Sequence, residues 1–269
     1  MIVWGGHSCP PIARPRRRLI TPPQLSPAKM AAHFLFEVDS EVQHEAPTRA
    51  HPVTTKAASY LDQCKKPSGW LGRFILWSMN SRHSKVTDWG LSKVSIREAD
   101  IILDVGCGGG RTVNKLAAIA IRGKVYGLDY SDASVAVARR TNRQWIEMGQ
   151  VDIREGSVSH LPFADGMFDL VTAVETHFWW PDLPVDMREV LRVLKPGGTL
   201  VVIAEIYKGA TTKTAQLAEN VLPLSGLKLL SVNEHRDVFT NAGYKNVQII
   251  EESTKGWICC IGRKLSTNT

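Results

Sequence analysis

The stretch Ile101-Ile102-Leu103-Asp104-Val105-Gly106-Cys107-Gly108-Gly109-Gly110-Arg111-Thr112 decides the fold. An apolar run of strand length enters four glycines within five positions and leaves into a helical segment. Glycine lets the backbone turn sharply and lets a ligand approach without meeting Cβ atoms. The unpaired N–H groups opening the helix at Arg111 add partial positive charge that suits a carboxylate. Taken alone, a G-x-G loop is weak evidence, because a plain strand-to-helix turn uses the same residues.

Moving outward, Val125-Tyr126-Gly127-Leu128-Asp129 reads as a second strand ending in an acid 19 residues after Gly110. In nucleotide-binding α/β folds such an acid lies beside the first strand and accepts hydrogen bonds from ribose hydroxyls. Asp129 could instead cap the following helix, although Ser131 and Asp132 are better placed for that. The loop reads G-x-G-G-G rather than the dinucleotide G-x-G-x-x-G, with Asp104 two positions before it. An acid there repels phosphates and favours an ammonium group, so an amino-acid-bearing nucleoside fits better than a dinucleotide.

The rest of the pattern alternates strands and helices, the signature of a parallel sheet with crossover helices. Expected strands are 101–105, 124–128, 151–154, 168–174, 199–206, 247–252 and 256–263. Expected helices are 111–121, 133–147, 183–194 and 232–242, with one or two amphipathic helices over 71–94. This predicts a Rossmann-like α/β domain: a seven-stranded, mostly parallel sheet, helices on both faces and an antiparallel last strand. It spans 67–269, with leading cap helices at 70–94. Residues 1–66 lack sustained apolar periodicity and carry Pro10, Pro11, Pro15, Pro22, Pro23 and Pro27, so a mostly disordered Pro/Arg-rich extension is expected there.

The net charge is +7, but five basic residues and no acid fall within 1–29, leaving +2 for the remainder. That balance gives no case for phosphate-backbone binding, and neither an N/D-P-P-Y/F nor a Pro-Cys motif of nucleic-acid methylation is present; no nucleic-acid partner is expected. Five cysteines without a C-x-x-C pair or zinc-spaced histidines point to reduced thiols, no metal site and a cytoplasmic compartment. No apolar run approaches the roughly 20 residues of a bilayer span, so no membrane association is expected. Oligomeric state is not written in the sequence.

Four segments together resemble the class I S-adenosylmethionine-dependent methyltransferases of small-molecule type: Asp104–Gly110, Gly127–Ser131, Leu161–Val171 and Leu191–Leu200. The resemblance covers about Lys66 to Lys264. It implies S-adenosyl-L-methionine as cofactor and direct in-line methyl transfer to a small-molecule acceptor. By resemblance, Asp104, Gly106, Cys107, Gly108 and Gly110 hold the methionine portion, Asp129 the ribose, and Tyr130 flanks the adenine, with Ser131 next to it. Many relatives carry an Asp after the glycine that ends the third strand; here that position is Ser157, so Ser157 and the Val158 backbone stand in for the adenine contact.

Ligands of open α/β sheets bind beyond the carboxyl ends of the strands, which places Glu175-Thr176-His177-Phe178-Trp179-Trp180 beside the cofactor. His177 is the candidate general base because an unperturbed imidazole accepts a proton near neutrality; an ordinary hydrogen-bonded histidine is the competing reading. Glu175, paired in this argument with Glu205, orients the acceptor or holds the cofactor, since buried carboxylates need partners. Phe178 and Trp179 are expected to wall an apolar acceptor pocket, with His83 and Trp89 contributing from the leading helices; for Trp180, and in competition for Trp77 and Trp89, core packing is the simpler role. The Cys259-Cys260 pair should face opposite sides of the last strand. Two rival functions remain at this point: a dinucleotide-dependent oxidoreductase, and a non-enzymatic cofactor-binding partner subunit.

Overall fold

Each central strand of the protein buries alternate residues on opposite faces. In the computed structural model, which describes residues 84–221 and 229–266, Leu103, Val105, Tyr126, Leu128, Val171, Ala173, Val202 and Cys260 point into one apolar layer. Their neighbours Ile102, Val125, Leu170, Val201, Ile203 and Cys259 point into the other. Period-two alternation with both sides apolar requires helices on both faces. Each fully buried Leu or Ile contributes about 1.5–3 kcal/mol relative to exposure.

The described elements run α1 (Ser84–Leu91), β1 (Ile101–Val105), α2 (Arg111–Ile119), β2 (Lys124–Asp129), α3 (Asp132–Thr141), α4 (Arg143–Glu147), β3 (Val151–Glu155) and β4 (Phe168–Val174). A 3-10 turn (His177–Trp179) follows, then α5 (Leu183–Val193), β5 (Leu194–Ala204), α6 (Lys213–Val221), α7 (Val232–Ala242), β6 (Lys245–Glu252) and β7 (Trp257–Arg263). The seven strands form one sheet in the order β3-β2-β1-β4-β5-β7-β6. All pairings among the first five are parallel, and β7 is antiparallel to both its neighbours. The order reverses between β1 and β4, which creates the crevice at the carboxyl ends where this class of sheet binds ligands. One face is covered by α1, α2 and α3 through Val86, Val113, Leu116 and Val135. The other is covered by α5 and α7 through Met187, Val190 and Phe239.

Several boundaries differ from the sequence reading. The expected 133–147 helix is two helices, broken at Asn142, whose fully buried side chain donates through Nδ2 to the carbonyls of Gly110 (2.8 Å) and Ala138 (2.9 Å). The segment expected as a turn at Lys195-Pro196-Gly197-Gly198 lies inside β5: Phe168 pairs with Leu194, the register then shifts, and Leu170 pairs with Thr199. The glycines bulge the strand rather than end it. Helix α6 was absent from the sequence reading, because its Thr- and Lys-rich start hides the apolar spacing.

All described residues lie within the unit Ala50–Thr269. The expected extension 1–66, the first part of the leading helices, Trp77 and His83 lie outside the described residues. Among the described residues, no helix is long and apolar enough to cross a membrane.

Candidate functional site

Beyond β1 the glycine loop folds back onto β2. The N–H groups of Gly106 (2.7 Å) and Cys107 (3.0 Å) both donate to the carbonyl of Leu128, and Gly110 N–H donates to the carbonyl of Cys107 at 2.8 Å. Gly106, Gly108 and Gly110 have φ of 71°, 51° and 78°, the left-handed region in which glycine is favoured. A Cβ on Gly106 would sit 2.1 Å from Thr176 Oγ1, and one on Gly110 2.5 Å from Asn142 Nδ2. These two glycines therefore admit neighbouring protein groups, whereas the sequence reading had assigned their openness to a ligand.

Asp129 closes the loop from the next strand. Its Oδ2 accepts Gly108 N–H at 2.8 Å and its Oδ1 accepts Ser131 N–H at 3.0 Å. Burial raises the Asp129 carboxyl, and the two backbone donors oppose that rise. The capping task falls to Ser131, which is fully buried and accepts Ser134 N–H at 3.3 Å as the N-cap of α3. The Ser131 hydroxyl is thus turned towards its own helix. Tyr130 remains 40% exposed at the rim, its phenol pushed up to about 12 by burial and the Asp129 charge.

Asp104 is the group that burial perturbs most informatively. It is 2% exposed, accepts the Thr172 hydroxyl at 2.6 Å and has its carboxyl raised to about 7, chiefly by desolvation, with Thr172 pulling it down and Asp129 pushing it up. Its free energy would fall on receiving a cation, the chemistry expected of an ammonium group. Cys107 is buried between these two acids, and burial together with their charges pushes its thiol well up, so it is a neutral packing residue. Ser157 is exposed and its hydroxyl accepts Ser159 N–H at 3.2 Å, while Val158 belongs to the core. The Ser157 hydroxyl accepts within this local turn and keeps its own proton to donate.

At the end of β4, Glu175 adopts φ 57°, a strained value for a non-glycine residue. Its N–H donates to the carbonyl of Ile203 at 2.9 Å and its Oε1 accepts Glu205 N–H, so Glu175 ties β4 to the end of β5. Thr176 seats against Gly106. His177 follows and is buried rather than superficial. Its Nε2 lies 3.1 Å from Nε2 of His235 on α7, and its Nδ1 is buried with no hydrogen-bond partner among the described residues. Burial and the neighbouring His235 hold the His177 imidazole well below its ordinary value, so it is neutral. A buried nitrogen left unpaired costs about 1–3 kcal/mol.

Phe178 stands edge-on between His177 and Trp179, with centroids at 5.1 and 5.8 Å, and both aromatics are half-buried. Trp180 is in the core, as expected of it. Trp89 packs against Trp257 of β7 (5.9 Å) under the Lys93 ammonium (5.3 Å). That is the packing role weighed for it, on a strand three positions from β1. Cys259 and Cys260 face opposite layers, as the strand period required. Sequence reasoning missed Thr172, Asn142 and His235, and placed Thr176 beside the site without a role. A histidine within the expected 232–242 helix was visible, but nothing local joined it to the end of β4.

Residues 103–202 match the family model described as a methyltransferase domain. Over those residues the chain is similar to methyltransferase domains, in keeping with its motifs. It is 26% identical over 213 residues to the O-methyltransferase cnsE of Penicillium expansum, covering 75% of this chain and 76% of that one. It is 31% identical to the demethylmenaquinone methyltransferase of Oceanobacillus iheyensis over 132 residues, 47% of this chain and about half, 55%, of that relative. The fold is that of a methyltransferase solved in complex with the Haloferax volcanii Trm112 activator, with TM-score 0.61 at 22% identity, over 73% of this chain and 96% of that one. The match selects the methyltransferase reading over the dinucleotide one.

Proposed function

We propose that the protein binds S-adenosyl-L-methionine at the β1–β2 crevice and transfers its methyl group to a small-molecule acceptor by in-line displacement. The observation that carries this reading is the pairing of Asp104 and Asp129 around the glycine loop: one carboxylate buried without a cationic partner among the described residues, the other braced by Gly108 and Ser131 N–H groups. Asp104 would hold the ammonium, the 106–110 loop the methionine carboxylate, Asp129 the ribose and Tyr130 the adenine edge. When bound, the cofactor supplies an electrophilic methyl on a sulfonium. The chain's own work is to fix the acceptor in line and exclude water, which supplies about 7–11 kcal/mol without a covalent protein intermediate.

The acceptor site lies over the 3-10 turn, where the half-buried Phe178 and Trp179 favour a small acceptor with an apolar or aromatic body. Relatives named for O-methylation and for demethylmenaquinone support that class. His177 serves as base where the acceptor must lose a proton, and Glu175 shapes the site by anchoring the strand ends. The buried, unpaired Cys107, Cys259 and Cys260 suit a reducing, cytoplasmic compartment.

Calorimetry with S-adenosylhomocysteine and with NAD tests the cofactor, and a labelled-methyl screen of phenols, quinols and sterols tests the acceptor. Asp129→Ala is expected to weaken S-adenosylhomocysteine by tenfold or more and, by orphaning the Gly108 and Ser131 N–H groups, to lower the thermal midpoint while the protein still folds. Heat with NAD but none with the sulfur nucleoside would sink the reading.

A further inference from the structure

The two histidines define a hydrogen-bonded chain whose proton positions follow from its far end. His235 Nδ1 lies 2.9 Å from the backbone carbonyl of Ser231, which can only accept, so that nitrogen carries a proton. Burial holds His235 below its ordinary value, so its imidazole is neutral and Nε2 is left with a lone pair. His177 Nε2, 3.1 Å away, must then donate to it. A neutral His177 that donates from Nε2 has a bare Nδ1, the atom that is buried and without a hydrogen-bond partner among the described residues. Its chain neighbour Thr176 is the residue seated against Gly106.

From this geometry we propose that His235 is a positioning residue that fixes His177 in the Nε2–H tautomer, so that His177 Nδ1 accepts the proton of the methyl acceptor. The inference rests on the methyl-transfer reading above. In the step, the sulfur–methyl bond breaks with its electron pair passing to sulfur, the bond from acceptor to methyl forms, and the acceptor's proton passes to His177 Nδ1. The Nε2 proton can shift towards His235 in response, which carries the new positive charge away from the reacting sulfur. Glu234, whose Oε2 accepts Ser231 N–H at 2.9 Å, lies beside His235 and favours charge there.

Nitrogen-15 NMR of the full chain labelled at histidine reads the tautomer directly and needs no acceptor. The wild type is expected to show His177 protonated at Nε2 and bare at Nδ1. His235→Leu removes the acceptor and should redistribute His177 between tautomers. His235→Gln places an amide oxygen where Nε2 stood and should restore the wild-type pattern. In the labelled-methyl assay, His235→Leu is expected to lose tenfold or more in kcat with the KM for S-adenosylmethionine unchanged, and His235→Gln to recover most of it. A wild-type His177 protonated at Nδ1, or a His235→Leu protein with unchanged tautomer or unchanged kcat, overturns the proposal. Loss of S-adenosylhomocysteine binding by the wild type would instead remove the methyl-transfer reading and leave the tautomer result standing.

Discussion

Asp104 shows how a single residue trades stability for recognition. Its folded value of about 7 lies above the ordinary 3.8, with desolvation the main cause. The folded state therefore binds the proton more tightly than the unfolded chain. The stability linked to that proton is complete below pH ~4 and is lost as pH rises through 7. Asp104→Asn keeps an acceptor for Thr172 and removes the buried charge, so the ligand-free variant is expected to melt several degrees above wild type at pH 8, the gap closing by pH 4. Thermal melts across that range check it, and a variant no more stable at pH 8 contradicts it. The same variant should bind S-adenosylhomocysteine at least tenfold more weakly. Gly106 is the opposite case, a residue chosen for packing: Ala there would meet Thr176 Oγ1 at 2.1 Å in a backbone with φ 71°. Gly106→Ala should cost about 2 kcal/mol or more, read as a lowered denaturation midpoint.

Among the elements, α7 is held by a capping box in which Ser231 accepts Glu234 N–H and Glu234 accepts Ser231 N–H. Ser231→Ala should cost about 1 kcal/mol in urea denaturation. It leaves the Ser231 carbonyl in place, so the His177 tautomer should be unchanged; a shifted tautomer would mean that the cap, not the carbonyl, orders the pair. The elements also show where local sequence stops being informative. The helical run 133–147 has no proline or glycine before Gly149 to mark its break. The break arises because Asn142 turns inward to the Gly110 and Ala138 carbonyls, which is a packing event. At 195–198 the turn residues were legible, but parallel pairing with β4 drew them into β5 as a bulge.

Across the described residues, β7 follows β6 in sequence yet lies between β5 and β6, so β6 joins the sheet only through β7. Cys259 and Cys260 on that strand are fully buried on opposite faces, and Cys107 is buried in the loop. These three thiols should resist alkylation in the native protein and react in denaturant, as peptide mass mapping would show. Rapid native labelling of Cys259 or Cys260 would mean that β7 is not held in the sheet.

By itself the sequence determined the alternating strands, the left-handed glycines and the acid closing β2, since each is written in residues adjacent along the chain or at a fixed period. Tertiary structure alone decided that Asn142 breaks the 133–147 run by reaching Gly110, that Trp89 packs on Trp257, and that His177 meets His235, 58 residues away. Each of those contacts joins elements far apart in the chain, and side-chain packing between distant elements leaves no periodic trace in either segment.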